Sequence, residues 1–336
     1  MSAPLHIAID AMSGDRGPSV SVPAALAAAR EFPDVRFTLT GRQADLEREL
    51  AAERPSNVFS LFATEVVEMS DHPREALRRK KDSSMRRAID LVKAHDAHAC
   101  VSAGNTGALM ATAHFVLKML PGVERPAIVS MIPSRGGHTY MLDLGANASC
   151  TPAQLCQFAV MGSVLAADLE GAHERPRVGL LNIGEEDVKG NEIVQSAHTL
   201  MAAVDVNYVG FVEGDDIFSD KVDVVVTDGF TGNIALKVME GASRHIANAM
   251  REEFQRSTFR KLGYLAARPA LNALRARIDP RRYNGAAMVG LNGIVIKSHG
   301  GTDLFGFQRA IEVAVSEARS DVPARITQRL RLASDA

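Results

Sequence analysis

Residues 99–112 read Ala-Cys-Val-Ser-Ala-Gly-Asn-Thr-Gly-Ala-Leu-Met-Ala-Thr, which is an apolar run, a glycine loop and the start of a helical pattern. The two glycines allow a tight turn and a close approach of the backbone to a ligand. The small polar side chains lie where the first N–H groups of a helix have no partner within the helix, a position that binds anions. A single turn of this kind is also a common strand-to-helix connection. The phosphate-binding candidates are Ser102, Gly104, Asn105, Thr106 and Gly107.

The same arrangement of an apolar run, a glycine and small polar residues recurs along the chain. It is found at residues 7–17, 141–147, 177–191, 224–237 and 294–301. Strands that alternate with helical stretches predict a three-layer α/β/α fold with a largely parallel, Rossmann-like central sheet. Ligands of such sheets bind at the carboxyl ends of the strands. We therefore expect one α/β domain over residues 1–336, with all six loops at one sheet edge and in one cleft.

Composition narrows the class of protein. Apolar residues make up 46% of the 336 positions and charged residues 23%, which excludes a disordered chain, and a formal net charge of -2 gives no case for nucleic acid. The three cysteines, Cys100, Cys150 and Cys156, form no C-x-x-C pair and suit a reducing cytoplasm. The first residues read as a strand rather than an export signal. No apolar run reaches the ~18 residues that span a bilayer, so any membrane contact is expected to be peripheral.

Motifs of several common enzyme classes are absent. The sequence contains no G-x-G-x-x-G after a strand, no P-loop, no H-E-x-x-H and no G-x-S-x-G elbow. What remains is a cleft of backbone amides and hydroxyls with a few charged candidates. Each of these also has a structural interpretation: a helix cap for Asp228, a solvated helix position for Lys237 and a backbone hydrogen bond for His299. The charged candidates are Lys189, Asp228, Lys237, Lys297 and His299.

Two segments are strongly basic. Residues 74–93 contain eight Lys or Arg against three acidic residues, which indicates either a solvated helix face or a surface for an acidic partner. Between residues 255 and 282 eight Lys or Arg stand against one acid, with leucines among them. This second segment predicts a protruding helical hairpin broken at Pro269. Its leucines Leu262, Leu265 and Leu271 are candidates for peripheral membrane contact, and packing on the body or on a second subunit is the alternative.

Several long motifs occur together and in order. They are Ile9-Asp-Ala-Met-x-Gly-Asp, Lys80-Lys-x-Ser-Ser-Met, Val101-Ser-Ala-Gly-Asn-Thr-Gly-Ala-Leu-Met, Leu142-Asp-x-Gly-Ala-Asn, Val178-Gly-Leu-Leu-Asn-Ile-Gly-Glu-Glu-Asp-x-Lys-Gly-Asn-Glu, Val224-Val-Val-Thr-Asp-Gly-Phe-Thr-Gly-Asn and Ile296-Lys-Ser-His-Gly. In order and spacing they resemble the bacterial phosphate acyltransferase family over nearly the whole chain. The first loop departs from that family, with Ser13 in place of a glycine and Arg16 where histidine is common.

The resemblance implies an activity and partners. Acyl-carrier protein carrying an acyl thioester and inorganic phosphate would react to give acyl phosphate and free carrier protein, an early step of phospholipid synthesis. The resemblance also implies a homodimer, cytoplasmic and peripherally associated with the inner face of the cell membrane. There a membrane-bound glycerol-phosphate acyltransferase would use the acyl phosphate. No cofactor or metal is expected.

The residues and the resemblance agree on a mechanism without a protein nucleophile. Phosphate itself attacks the thioester, so the protein must hold the anion and stabilise the oxyanion, and a thiolate of pKa about 8.5 leaves without a triad. The catalytic candidates are Lys189, Asp228, Asn233, Lys297 and His299, and those for the acidic carrier are Arg78, Arg79, Lys80 and Lys81. Two alternatives stay open: a phosphotransacetylase that uses acyl-CoA, and a non-catalytic membrane scaffold.

Overall fold

The computed structural model describes residues 4–170 and 175–334. The strands are β1 (His6–Asp10), β2 (Arg36–Gly41), β3 (Val58–Phe62), β4 (Ala99–Ser102), β5 (Ala127–Ser134), β6 (Gly137–Leu142), β7 (Arg177–Leu181), β8 (Asn207–Val212), β9 (Val224–Val226), β10 (Ala286–Val289) and β11 (Ile294–Lys297). The helices are α1 (Pro18–Glu31), α2 (Gln43–Leu50), α3 (Pro73–Arg79), α4 (Ser84–Lys93), α5 (Thr106–Leu117), α6 (Pro152–Glu170), α7 (Glu192–Met201), α8 (Gly229–Gln255), α9 (Thr258–Ile278), α10 (Leu304–Ser320) and α11 (Val322–Ser334).

All these strands form one sheet, in the order β3-β2-β1-β4-β11-β10-β5-β6-β9-β7-β8. The strands from β3 to β11 run parallel to one another, as do those from β6 to β8. Between the two sets, β10 is antiparallel to both β11 and β5, and β5 is antiparallel to β6. Three reversals of direction leave the two parallel sets running in opposite directions.

The direction of the strands corrects one expectation. The loops after β1, β4 and β11 lie at one edge of the sheet, whereas those after β6, β7 and β9 follow strands that point to the other edge. The prediction that six loops share a single edge is therefore wrong. An apolar strand has the same residue pattern whichever way it runs, so the sequence does not record the reversals at β10 and β5.

Helices cover both faces of the sheet, which confirms the predicted α/β/α layers. Alternate residues of β1 face opposite sides: Ile7 and Ile9 belong to the core beneath α1, α6 and α10, and Ala8 to the core beneath α4 and α5. The largest fully buried side chains include Phe37, Phe158 and Phe307 on the first face and Met85, Ile89 and Leu109 on the second. Each such side chain stabilises the fold by about 1.5–3 kcal/mol through removal from water.

The helical hairpin is longer than predicted, and its break is elsewhere. Helices α8 and α9 form it, and the chain turns at Arg256 and Ser257, where Ser257 Oγ accepts a hydrogen bond from the N–H of Arg260 at 3.2 Å and caps α9. Pro269 lies inside α9, so the predicted break there is wrong. A serine cap begins a new helix, whereas a proline removes one hydrogen bond and leaves the helix on both sides in place.

The helices were also compared with the dimensions of a bilayer. Within residues 4–170 and 175–334, none combines the length and the apolar character that a membrane-crossing segment requires.

Candidate active site

The loops that follow β1, β4 and β11 meet and bond to one another. The N–H of Ala103 donates to Ser13 Oγ at 2.8 Å, and the N–H of Asp15 donates to the carbonyl of Gly300 at 2.9 Å. Gly14 lies between them with a φ of 86°, and a side chain there would have its Cβ 3.0 Å from the Gly300 oxygen. Only glycine fits this position without strain, because the close approach and the positive φ both exclude a Cβ. Three of the six predicted loops thus form one site.

The start of α5 is built as the sequence predicted. Asn105 caps the helix, since its Oδ1 accepts from the N–H of Ala108 at 2.9 Å, and its Nδ2 donates to the carbonyl of Met69 at 2.7 Å. A Cβ on Gly107 would lie 2.8 Å from Pro73 Cγ, at the start of α3. Thr106 and Gly107 are exposed, so the first turn of α5 is open to a ligand while α3 flanks it.

Three buried polar side chains lie side by side beneath these loops, on β1, β4 and β11. Asp10, Ser102 and Lys297 are 2%, 1% and 9% exposed. Ser102 Oγ donates to Asp10 Oδ2 at 2.7 Å and accepts from the N–H of Gly104 at 3.1 Å. Lys297 pairs with Ser102 across the strands, and its Nζ donates to the carbonyl of Ala103 at 3.4 Å. A cation and a carboxylate are thus held within a site that excludes water.

Burial shifts the two charged groups toward neutrality. It raises the pKa of Asp10 to about 6. Hydrogen bonds from Ser84, Ser102 and the backbone of Met12, and the charge of Lys297, lower the same pKa by less. Burial lowers the pKa of Lys297 to about 8; the charge of Asp15 raises that pKa, the charge of Lys237 lowers it and the charge of Asp10 raises it. At neutral pH Lys297 is charged in surroundings of low dielectric, where its attraction for an anion is stronger than at the surface.

His299 lies at the exposed mouth of this site. Its Nδ1 accepts from the N–H of Gly301 at 3.1 Å, and its own backbone N–H donates to Asn284 Oδ1 at 2.9 Å. With Nδ1 as acceptor, a neutral imidazole carries its proton on Nε2, which then remains available to a ligand. The loop therefore fixes the ring and leaves one donor.

At the other edge of the sheet, Asp143 organises the loop after β6. The carboxylate accepts bonds of 2.7–3.2 Å from the backbone N–H groups of Ile128, Gly145, Ala146 and Asn147. Burial raises the pKa of this carboxyl, while those N–H groups lower it. Our sequence reasoning gave Asp143 no role, although an aspartate between an apolar run and Gly-Ala-Asn is a signal of such a turn.

The start of α8 packs on this loop. Asp228 caps the helix, accepting from the N–H of Phe230 at 3.0 Å and from the N–H and Oγ1 of Thr231 at 2.9 and 2.8 Å. A Cβ on Gly232 would lie 2.0 Å from the Asp143 carbonyl oxygen, so no side chain fits there. Asn233, which follows, is exposed beside Gly145.

Helix α8 begins on the Asp143 loop and carries a cation that influences Lys297. Lys237, two turns after the Asp228 cap, is exposed and pairs with Glu240 at 2.8 Å. Its charge lowers the pKa of Lys297, which places it within electrostatic reach of the buried cation. Asn233 and Lys237 are thus carried on one helix from the Asp143 loop toward Lys297.

No described contact joins Lys189 to this site. Its exposed side chain belongs to residues 182–191, a loop held by Asn182 and by the ion pair of Lys221 with Glu185. In sheet order β7 lies five positions from β11, about 24 Å at the usual strand spacing. In the described part of the chain, no hydrogen bond or ion pair joins residues 182–191 to the loops after β1, β4 and β11.

The predicted carrier surface lies beside the site. Helix α3 packs against α5, and its exposed cations Arg78 and Arg79, with Lys81 after it, make no ion pair with any described residue. Lys80 differs: its Nζ donates to the carbonyl of Val66 at 2.7 Å and pairs with Asp71. Three of the four predicted cations are thus exposed and form no ion pair within residues 4–170 and 175–334.

The hairpin exposes apolar side chains. Leu262 and Leu265 are 60% and 59% exposed, while Leu271 is half-buried. Phe259, at the start of the same helix, is 84% exposed. Isolated exposed leucines are common, but several on one protruding helix indicate a surface that binds something.

Comparison with known proteins identifies similar sequences and a similar fold. A family model described as a fatty acid synthesis protein matches residues 5–325. Proteins named phosphate acyltransferase from Methylococcus capsulatus and Alkalilimnicola ehrlichii are 56% and 54% identical, covering 96% and 98% of this chain and 96% and 97% of their own. A solved phosphotransacetylase from Streptococcus pyogenes superposes with a TM-score of 0.62 over 95% of both chains, and at 15% identity this likeness shows the fold alone.

Proposed function

Because the chain belongs to the phosphate acyltransferase family, we propose that it moves an acyl group from acyl-carrier protein to inorganic phosphate. An oxygen of hydrogen phosphate attacks the thioester carbon, the C–S bond breaks, and the thiolate leaves with the electron pair and takes up the proton that the phosphate loses. The products are acyl phosphate and free carrier protein. Membership of a family of transferases sets aside the non-catalytic scaffold.

One observation carries the proposal: the anion-binding start of α5 and the buried cation Lys297 belong to the same cluster of loops. The backbone N–H groups of residues 105–107 and the ammonium of Lys297 supply the positive field that phosphate requires. Held there, the anion is a nucleophile at high effective concentration, which is the main contribution a protein makes to this reaction.

The remaining candidates take roles that follow from their positions. Asn233 or His299 donates to the developing oxyanion: His299 has a ring N–H at the mouth of the site, and Asn233 is an exposed amide about one turn before Lys237 on α8. Asp228 acts through the cap it gives α8, which orients Asn233 and Lys237. Lys189 is proposed as a further cation supplied by a second copy of the chain.

The proposal includes a place for each partner. Acyl-carrier protein, an acidic partner, docks on Arg78, Arg79 and Lys81 beside the start of α5, so that its thioester reaches the phosphate. The protein acts as a homodimer that contacts the inner face of the membrane through Leu262 and Leu265. There the acyl phosphate passes to an acyltransferase that uses glycerol phosphate.

The test is release of free thiol from acyl-carrier protein by the purified full chain, with and without inorganic phosphate. We expect release only with phosphate, acyl phosphate detected by 31P NMR, and a higher kcat/KM for the carrier than for acyl-CoA. Lys297→Ala should lower kcat/KM for phosphate at least about tenfold. Lys93→Ala, an exposed lysine of the same basic segment, is the matched control. A preference for acyl-CoA, or no phosphate-dependent release, would overturn the proposal.

A further inference from the structure

Asp10 is a buried carboxyl group that the proposed mechanism does not use. It ends β1 beside Ser102 on β4, and Oδ2 accepts the Ser102 hydroxyl at 2.7 Å. Its Oδ1 makes no hydrogen bond within 3.5 Å among the described residues, although the Ser84 side chain and the Met12 backbone are close enough to lower the pKa of this carboxyl. A buried carboxylate oxygen left without a partner is costly, and such groups in native proteins call for an explanation.

We propose that Asp10 is a positioning residue for the phosphate site, which fixes the Ser102 hydroxyl and keeps Lys297 charged without touching the substrate. This inference rests on the proposed function, which places the phosphate at Lys297 and the start of α5. Two arguments support the proposal, the first from Ser102 and the second from Lys297.

The first argument counts the hydrogen bonds of Ser102. A hydroxyl group has one proton to donate, and that of Ser102 goes to Asp10 Oδ2. Its oxygen accepts from the N–H of Gly104 at 3.1 Å, which fixes the loop that leads into α5. Ser102 therefore has no donor left for phosphate. It holds the loop in the conformation that presents the following N–H groups, and Asp10 holds Ser102.

The second argument concerns the charges around Lys297. Its Nζ donates to two neutral carbonyl groups, of Ala103 and Ser298, so neither neutralises it. The charged groups that influence its pKa are, from the largest effect to the smallest, Asp15 from the loop after β1, Lys237 from α8 and Asp10 from β1. The two carboxylates favour the ammonium form and Lys237 opposes it. Asp15 is exposed and therefore screened by salt, whereas Asp10 is enclosed with Lys297 and is screened much less.

The sign of the effect follows from these positions. Above pH about 6 Asp10 carries a negative charge, and this charge adds to that of Asp15 in raising the pKa of Lys297, which burial lowers to about 8. An uncharged amide in place of Asp10 removes that support, so Lys297 loses its proton at lower pH. Phosphate binding then weakens at lower pH as well, while the ionisation of phosphate itself is the same in every variant.

The experiment measures kcat/KM for phosphate between pH 6 and 9 in 0.5 M salt, which suppresses the contribution of Asp15. For the full-length wild type we expect a loss of activity above about pH 8. In Asp10→Asn this loss should begin about one pH unit lower, which is about a fivefold decrease at pH 8 relative to the wild type. Ser102→Ala, which keeps the charge of Asp10, should lower kcat/KM without moving the pH at which activity is lost.

A double-mutant cycle separates charge from folding. Lys297→Arg stays protonated throughout this range, so activity should no longer fall near pH 8, and Asp10→Asn in that background should not move the profile. Calorimetric titration with inorganic phosphate at pH 6.5 and 8 gives the same comparison without turnover, and circular dichroism reports folding. If Asp10→Asn leaves the alkaline limb in place, or Lys297→Arg retains it, the inference is wrong. Absence of phosphate-dependent thiol release in the wild type would instead contradict the proposed function.

Discussion

Glu317 is a buried carboxyl of α10 that faces a small apolar cavity lined by Leu120, Val322 and Ile326. Burial raises its pKa to about 8, and Oε1 has no partner among the described residues. The native state therefore binds a proton that the unfolded chain releases above about pH 4.5. The contribution of Glu317 to the free energy of unfolding is therefore complete below about pH 4.5 and is lost as the pH rises through about 8.

Glu317→Gln removes this dependence, because the amide stays neutral at every pH. We expect the variant to gain stability over the wild type between pH 5 and 8, by roughly 2–4 kcal/mol at pH 8. The measurement is urea unfolding at both pH values. Glu47→Gln, on the surface of α2, is the control, and its free energy of unfolding should differ from that of the wild type by the same amount at pH 5 and pH 8. An equal effect of Glu317→Gln at pH 5 and 8 would contradict the assignment.

Substitutions of Asp228 test whether its carboxylate caps α8 or takes part in the reaction. Asp228→Ala leaves the first N–H groups of α8 without their acceptor and should lower the free energy of unfolding by about 1 kcal/mol. Asp228→Asn keeps an acceptor oxygen, so we expect stability and turnover within a few-fold of wild type. Thermal unfolding and the thiol assay measure both. A stable Asp228→Asn protein without activity would show that the carboxylate charge itself takes part in the reaction.

Single residues could be predicted from sequence where their role is local. Asn105 and Asp228 cap the helices that follow them, and a cap is visible within four residues. The roles of Ser102 and Asp10 depend on a contact between strands 92 positions apart, which no local pattern contains. Asp143 was missed for a different reason, since most of its partners are backbone N–H groups rather than side chains.

At the scale of elements, α3 is the surface on which charge should determine substrate recognition. Arg78→Glu with Arg79→Glu reverses two free cations beside the start of α5 and should lower kcat/KM for acyl-carrier protein at least about tenfold at low salt. The KM for phosphate should not change. Lys93→Glu, which alters the same basic segment away from α3, is the control. Equal rates for the double variant and the wild type at low salt would exclude docking on α3.

The hairpin predicts a second effect that belongs to one element. Replacing both Leu262 and Leu265 by Asp removes two exposed apolar side chains, each worth about 1.5–3 kcal/mol on burial. We expect at least about a tenfold weaker binding to vesicles of anionic phospholipid in a co-sedimentation assay. Asn272→Asp adds a charge to the same helix without removing apolar surface and should have little effect. Unchanged sedimentation of the double variant would mean that the leucines meet something other than lipid.

At the scale of the whole molecule, the two oppositely directed sets of strands separate Lys189 from Lys297. If each site takes Lys189 from a second copy, Lys189→Ala and Lys297→Ala homodimers are both impaired, and a mixed dimer of the two regains one intact site. We expect co-expressed, differently tagged chains to recover up to about half the wild-type activity. Tagged dimers of Lys297→Ala alone serve as the control. Lack of recovery would mean that Lys189 acts within its own chain or not at all.

How far the sequence predicts the molecule depends on the range of the interactions involved. Apolar runs that end in glycine loops revealed the strands, the layers and the cluster around Ser102, because each signal lies within about a dozen residues. The order of eleven strands is set by contacts between distant segments, so the three reversals around β10 and β5 had no local signature. The same limitation explains why Lys189 was placed near Ser102 on the basis of its loop alone.

Helix α8 is a long helix that is held in place at its first turn. Gly232 leaves no room against the Asp143 carbonyl, which fixes the first turn, and 27 residues give a rigid arm about 40 Å long. Lys237 lies about 12 Å along that arm. A movement of about 3 Å where the hairpin turns is therefore reduced to about 1 Å at Lys237, and a displacement of that size is enough to change a reaction rate. A displacement at the far end of the hairpin would thus change the distance between Lys237 and Lys297, the cation whose pKa it lowers.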